Sequence, residues 1–229
     1  IEEAIKALLN WAMRKKISSI NITLPPPIYN SSFITKQVNS LWRGDFEFKN
    51  IDLNHSFNLD YFDNYNENIN QKGRRNLKIA MKAGLRFFEC KNDKDQKLTY
   101  DIIHKNRKKK GIPLRMTWKQ IADTANIIPA DFFCAYNDKQ IPVASAIVFH
   151  INPSVVQLVY WGDIPDFYKL RPMNFLSFKI FEYYKSQGKR IVDLGPSSVE
   201  SSPNYGLSKF KKSIGCNISL KYTLTKIFQ

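Results

Sequence analysis

The segment from Val156 to Gly215 constrains the fold more than any other part of the chain. An apolar run ends at Trp161, a loop follows as far as Asn174, and an amphipathic stretch leads to a second apolar run that ends at Gly195. Short apolar runs between turn signals predict buried strands, and the stretch between them has helical periodicity. Polar groups stand at strand ends and helix starts, where an α/β sheet forms its ligand crevice. The segment therefore predicts a buried sheet with a functional site at its edge.

Positive charge narrows the classes of partner. Lys and Arg number 35 against 20 Asp and Glu, which gives a formal net charge of +15 and a pI near 9.7. Such a charge attracts RNA, coenzyme phosphates, nucleotide sugars or an anionic membrane face. The densest basic run is His104–Lys110, which predicts a phosphate-attracting surface or, alternatively, a solvated helix face.

Several functional classes lack their signatures. No apolar run approaches the roughly 20 residues of a membrane span. The three cysteines and three histidines show no metal-ligand or redox spacing, so we expect no metal and a cytoplasmic protein with reduced thiols. Neither a GxGxxG motif nor a P-loop is present, which disfavours enzymes that use nicotinamide or nucleoside triphosphates. Oligomeric state is left open.

Periodicity and turn residues predict a mixed α/β order of elements. Residues 46–49 and 57–59 suggest edge strands, and the Asn-rich residues 60–72 suggest a linker. We expect helices at 1–16, 32–41, 74–83, 97–109, 117–126, 173–187 and 205–213, and further strands at 17–24, 85–90, 131–136, 143–151, 155–161, 190–194 and 218–225.

Short motifs in a particular order carry a resemblance to a known family. They are Arg74-Arg75-Asn76-Leu77, Gly84-Leu85, Asp138 with Ala144 and Phe149, Tyr160, Pro172, Gly188, Asp193-Leu194-Gly195, Gly206-Leu207, Phe210-Lys211 and Gly215. Their order and spacing, over about residues 73 to 220, resemble FemAB-like proteins of the GNAT acyltransferase superfamily. Residues 1–60 resemble the tail of a preceding GNAT-like half.

The resemblance implies an α/β (α+β) fold, with a mixed, mostly antiparallel sheet flanked by helices and two GNAT-like halves in tandem. Residues 1–60 would be the C-terminal part of a first, incomplete half, and residues 61–229 the second half. Because a helix followed directly by a strand is an unusual beginning for such a domain, we expect further residues upstream of Ile1.

In function, the resemblance implies a GNAT-type N-acyltransferase. It would move an acyl group, as acetyl from acetyl-CoA or another acyl-CoA, to an amine of a sugar, cell-envelope precursor or peptide. Charged tRNA is the donor in the peptidoglycan-bridge branch, so aminoacyl-tRNA-dependent transfer is an alternative, as is a non-catalytic GNAT-like module that binds RNA or an acidic partner. The sequence lacks a glycine-rich pyrophosphate loop, and it also lacks the long helical-hairpin insertion of the bridge-forming enzymes. Both departures leave the donor open.

Three residues are the catalytic candidates. Asp193 follows a buried strand, where it could orient the attacking amine, accept its proton or cap the next turn. Lys211, as the resemblance implies, would meet a phosphate or carboxylate of the donor or acceptor. Tyr205 could donate a proton to the leaving group.

Binding candidates stand at element boundaries. Arg171 and Asn174 precede or open a helix, where free N–H groups and the helix dipole favour a coenzyme phosphate. The alternative is a surface arginine and a capping asparagine. The predicted substrate contacts are Tyr160, Ser197, Ser198 and Arg74.

Overall fold

The computed structural model describes residues 1–228. Its helices are α1 (Glu2–Arg14), α2 (Ser31–Arg43), α3 (Tyr65–Asn68), α4 (Gln71–Lys82), α5 (Asp93–Lys109), α6 (Trp118–Ala125), α7 (Pro172–Ser186) and α8 (Tyr205–Ser213). Its strands are β1 (Ser19–Thr23), β2 (Glu47–Asn58), β3 (Arg86–Glu89), β4 (Ala130–Tyr136), β5 (Pro142–His150), β6 (Val155–Asp163), β7 (Ile191–Pro196), β8 (Ser198–Val199), β9 (Ser202–Pro203) and β10 (Asn217–Ile227). Each predicted helix is present, and the fold class is the predicted mixed α/β sheet flanked by helices.

The chain divides into two compact units, each made of separate segments. The first contains Ile1–Ser56 and Pro196–Lys209, together with the end of the chain from Ile218. The second contains Phe57–Gly195 and Phe210–Asn217. The sequence suggested one boundary, between residues 60 and 61. In the structure, residues 196–209 and the end of the chain from residue 218 also belong to the first unit. That the units correspond to the halves of a GNAT tandem stays a prediction.

Within the first unit, the end of the chain supplies a strand to the beginning. β1 pairs antiparallel with β10, from Ser19↔Ile227 to Thr23↔Thr223. The prediction of two edge strands at 46–49 and 57–59 was wrong, because β2 runs unbroken from Glu47 to Asn58. Residues 54–56, Asn-His-Ser, have the composition of a turn but are buried within this strand.

A sheet in the order β7-β6-β5-β4-β3 forms the centre of the second unit. All neighbouring pairs in this part are antiparallel except β6 and β7. Because side chains alternate across a strand, Phe133 and Ala135 of β4 join one apolar cluster, while Phe132 and Cys134 join another. Helices α4 and α7 contribute to the first cluster and α5 and α6 to the second, so both faces of the sheet are covered.

The Asn-rich stretch predicted as a linker is ordered and partly buried. A 3₁₀ helix spans Leu59–Asn64, and α3 follows it directly. Leu59, Tyr65 and Ile69 are buried in the core of the second unit, and the Tyr65 hydroxyl donates to the carbonyl of Ile214 at 3.2 Å. The linker prediction was wrong because these apolar anchors outweigh the polar composition between them.

Residues 1–228 contain neither a helix suited to span a membrane nor a cluster of metal ligands. No helix in this range is both long and apolar enough to cross a bilayer. The same residues contain no group of three or more His, Cys, Asp or Glu side chains arranged to hold a metal ion. The three cysteines are buried free thiols.

A glycine in α4 lets this helix approach the backbone at the end of α8 closely. A Cβ added to Gly73 would lie 1.9 Å from the carbonyl oxygen of Ser213. We expect Gly73→Ala to lower the free energy of unfolding by about 1–3 kcal/mol or more, because backbone must move to admit the methyl group. Urea denaturation measures the change. Gly206→Ala is the matched control, since its added Cβ meets nothing closer than 3.5 Å. Equal stability of both variants would contradict this contact.

Candidate active site

The two parallel strands of the second unit, β6 and β7, pair over only part of their length. β6 and β7 share three residue pairs, of which Gln157↔Asp193 is the last. β6 continues as far as Asp163 without a β7 partner. The pairing of β6 with β5 also shifts, from Ile147↔Tyr160 to Val148↔Leu158, which leaves an extra residue on β6 at 159. Such a bulge bends a strand and locally breaks the ladder. Together these features end the β6–β7 ladder at Gln157↔Asp193, beside the C-terminal end of β7.

Asp193 closes the paired part of the two strands. Its side chain is fully buried, at 0% exposure. Oδ1 accepts a hydrogen bond from the N–H of Gly195 at 2.9 Å, and Oδ2 accepts one from Nε2 of Gln157 at 3.3 Å. The carboxylate therefore caps the turn at the end of β7, one of the two roles that its position predicted. Its role toward an attacking amine stays a prediction.

Lys211 holds the end of β7 from the last helix. Its side chain is 1% exposed, and Nζ donates to the carbonyls of Leu194 and Gly195 at 2.9 Å each. Successive carbonyls of an extended strand point in opposite directions. Gly195 has φ of +73°, a left-handed conformation that turns the chain and lets both carbonyls reach one ammonium. The neighbouring Lys209 and Lys212 are exposed, so Lys211 is the one lysine of α8 that has this role.

The environment of Lys211 makes the charged form of its amine less favourable, but the amine stays protonated near pH 7. The pKa of Lys211 is lowered to about 8, mainly by burial. Cys216 and Asp193 act in the opposite direction, and the nearby charge of Arg107 contributes a smaller lowering. Burial raises the pKa of the Cys216 thiol, which keeps that neighbour neutral. Near pH 7 the lysine is therefore a cation kept out of water, with carbonyl oxygens as its ligands.

Arg107 adds a second cation to this region. Its side chain is half-buried, and burial lowers the pKa of the guanidinium while the nearby Tyr160 raises it. Arg107 has no carboxylate partner within salt-bridge distance among residues 1–228. The predicted site residues Tyr160 and Lys211 are thus connected through the charge of a residue that the sequence did not single out.

Asn106 holds α5, which carries Arg107, against the end of β6 that pairs with β5 but not with β7. It is 4% exposed, and Nδ2 donates to the backbone carbonyl of Asp163 at 2.5 Å and to its Oδ1 at 3.2 Å. A side chain on Gly162 would approach Asn106 to 3.1 Å, so the helix lies directly against the strand. A sequence signal existed: Asn106 continues the buried side of α5, three residues after Ile103.

The start of α7 offers few donors for a phosphate. Arg171 is exposed and has φ of +55°, and Asn174 is buried. Pro172 has no N–H, and the N–H of Asn174 already donates to the carbonyl of Arg171 at 3.0 Å. A helix start normally leaves four N–H groups without a partner in the helix. Here the N–H of Arg171 donates to the carbonyl of Tyr168 at 3.1 Å, so among residues 1–228 only the N–H of Met173 remains. Coenzyme binding by Arg171 and Asn174 stays a prediction.

The remaining predicted site residues, Arg74, Ser197, Ser198 and Tyr205, differ in exposure and in hydrogen bonding. In the second unit, Nη1 of Arg74 donates to two backbone carbonyls at 3.0 Å, just before α4. In the first unit, the Ser198 hydroxyl donates to Oδ1 of Asp52 at 2.6 Å and so secures the β8–β9 hairpin. Ser197 is buried, and its hydroxyl has no hydrogen-bond partner within residues 1–228. Tyr205 is 69% exposed at the start of α8.

Solved structures with the same fold are known. No family model and no curated protein matches the sequence. The crystal structure of FemX superposes with a TM-score of 0.74 and 15% identity, over 99% of this chain and 77% of FemX. L-PGS from Bacillus licheniformis gives 0.67 and 13%, over 97% and 72%. A tandem GNAT protein from the clavulanic acid biosynthesis pathway gives 0.52 and 10%, over 99% and 68%. The fold is therefore the FemAB-like, GNAT-type fold that the sequence motifs implied.

The buried cation makes stability depend on pH in a defined direction. Because the folded pKa of Lys211, about 8, is below its value of 10.5 in the unfolded chain, the unfolded state binds more protons between these values. The free energy of unfolding should therefore gain up to about 3 kcal/mol from this residue as pH rises through that window.

Urea denaturation between pH 7 and 10 tests this effect on wild type, Lys211→Met and the exposed control Lys212→Met. The difference between wild type and Lys211→Met should change with pH, while the difference for Lys212→Met stays flat. A constant difference for Lys211→Met would mean that its ammonium is not desolvated.

Proposed function

We propose that this protein is an amine acyltransferase whose reaction takes place where β6 and β7 stop pairing. The observation that carries the proposal is the placement of Lys211. Its ammonium is buried on the carbonyls of Leu194 and Gly195, beyond the last residue pair of the two strands. A preorganised cation shielded from water can stabilise negative charge that develops during a reaction.

The pair of cations supports a substrate that carries negative charge. Arg107 lowers the pKa of Lys211 through a charge repulsion that is smaller than the opposing effect of Asp193. Asp193 is the carboxylate whose charge acts on Lys211, and its oxygens accept from Gln157 and Gly195. A phosphate or an ester oxyanion at Arg107 and Lys211 would relieve this repulsion, because opposite charges stabilise the ionised forms.

The proposed chemistry needs no covalent enzyme intermediate. The acceptor amine attacks the carbonyl carbon of the donor ester, and a carbon–nitrogen bond forms. The carbonyl oxygen takes up negative charge, which the Lys211 ammonium and unpaired backbone N–H groups of β6 stabilise. The carbon–oxygen bond to the leaving group then breaks, and the proton lost by the amine passes to the leaving oxygen.

Two observations favour an aminoacyl-tRNA over a CoA thioester as the donor. At the start of α7, only the N–H of Met173 has no hydrogen-bond partner among residues 1–228. One free N–H provides too few donors to bind a pyrophosphate well. The TM-scores to FemX and L-PGS, 0.74 and 0.67, exceed the 0.52 to the tandem GNAT protein. The acceptor is then an amine of a cell-envelope precursor or peptide, as in the bridge-forming branch that the sequence resembles.

A transfer assay with two donors tests the proposal. Purified full chain is incubated with labelled aminoacyl-tRNA or labelled acetyl-CoA and a panel of amino-sugar and peptide amines. We expect amide formation from the tRNA ester. Lys211→Met should lower kcat/KM by about 10²–10³-fold, the usual cost of losing an oxyanion donor. Thermal melts verify that the variant is folded.

Lys212→Met is the matched control, because it removes an exposed lysine from the same helix and should leave kcat/KM unchanged. Transfer from acetyl-CoA alone would overturn the donor assignment while keeping the acyltransferase. Transfer from neither donor to any amine of the panel would overturn the catalytic proposal. Full activity of folded Lys211→Met would remove that residue from the mechanism.

A further inference from the structure

The C-terminal turns of α5 and the loop that follows carry a concentrated positive charge. Between Asp101 and Asp123 the sequence contains no acidic residue. The same stretch has seven cations, of which Lys105, Lys108, Lys109, Lys110 and Arg115 are exposed and unpaired. These five residues are called the α5 ridge. All of them lie in the second unit.

Carboxylates do not neutralise this ridge. On other helix surfaces of the second unit, Lys97 pairs with Asp101, Lys119 with Asp123 and Lys179 with Glu182, whereas the lysines of α4 have no carboxylate within 4.0 Å among residues 1–228. None of the ridge residues has a carboxylate within 4.0 Å in the part of the chain that the structure describes. A favourable interaction with the helix dipole accounts for cations in the last turn only, whereas the ridge begins before that turn and continues to Arg115.

The ridge shares its helix with a residue of the proposed site. Arg107 is half-buried and acts electrostatically on Lys211. Because each residue of an α-helix turns by about 100°, Lys105 and Lys109 lie about 160° around α5 from Arg107, on the other side of the helix. From Lys105 to Lys110 the chain rises about 7.5 Å, which matches roughly two nucleotide steps of a single strand. The ridge therefore offers a polyanion an exposed row of cations on the side of the helix away from Arg107.

We propose that the α5 ridge binds the phosphate backbone of the donor tRNA. This inference rests on the proposed function and specifies which surface takes the tRNA. No aromatic residue is interleaved with the ridge cations from 104 to 110, so recognition is by backbone charge and does not depend on base sequence. The choice of tRNA over an anionic membrane follows from the donor of the proposed function.

Binding of fluorescein-labelled tRNA, followed by anisotropy at 50–200 mM KCl, tests the ridge. The variant is Lys108→Gln with Lys109→Gln. The matched control is Lys6→Gln with Lys15→Gln, which removes two exposed lysines from α1 and its C-cap in the first unit. We expect the ridge variant to bind about tenfold more weakly at 100 mM KCl, with the slope of log K against log salt reduced by about 1.4. The control should change both values little.

Equal losses in ridge and control variants would overturn the proposal, because binding would then reflect net charge alone. Unchanged tRNA binding with loss of binding to phosphatidylglycerol vesicles would assign the ridge to a membrane and also overturn it. A second readout separates this inference from the proposed function. Transfer from an aminoacyl-adenosine, which lacks the tRNA arm, should be the same in wild type and ridge variant, whereas transfer from aminoacyl-tRNA should fall. If wild type transfers from neither ester yet tRNA binding depends on the ridge, the proposed reaction fails while the RNA surface stands.

Discussion

The bond pair from the Lys211 ammonium to the carbonyls of Leu194 and Gly195 is the interaction on which the proposed site depends. It exists because Gly195 is left-handed, so two successive carbonyls reach the same point. Moving a charged amine out of water is costly unless oxygen ligands replace its hydration. Here the fold provides those ligands where the strand pairing of β6 and β7 stops. Arg107 adds a weak repulsive charge to this place, and the charge of Asp193 acts against it.

The same arrangement explains how neighbouring elements contribute. Asp193 fixes the turn that aims the carbonyls, Asn106 fixes α5 against the end of β6, and Arg107 follows at the exposed side. Catalytic positioning of this kind depends on rigid support from packed elements. Two apolar clusters on opposite faces of the sheet provide that support in the second unit. The positively charged α5 ridge lies on the solvent-exposed part of the same helix.

Sequence patterns predicted the helices, the meander and the fold because their signals are local or cumulative. Periodicity reveals amphipathic helices, and the motif order from Arg74 to Gly215 carried the FemAB-like resemblance that the structures confirm. Asn-rich residues 60–72 were misjudged because composition suggested a linker, although Tyr65 and Ile69 anchor the stretch in the core. Arg107 was grouped with surface lysines because one sequence shows charge but not the side of the helix that is buried. Tyr160 and Lys211, with which Arg107 interacts electrostatically, are distant from it in the chain, so no local pattern reveals this arrangement.

The pH dependence of kcat/KM in the acyl-transfer reaction tests the central claim most directly, since this parameter reports the groups of the free enzyme. If the Lys211 ammonium stabilises the transition state, wild-type kcat/KM should fall as pH rises above about 8, where that lysine loses its proton. A guanidinium stays charged in this range, so folded Lys211→Arg should retain its own, lower kcat/KM without the fall near pH 8. The same alkaline fall in both proteins would contradict the account, because the titrating group would then be another residue.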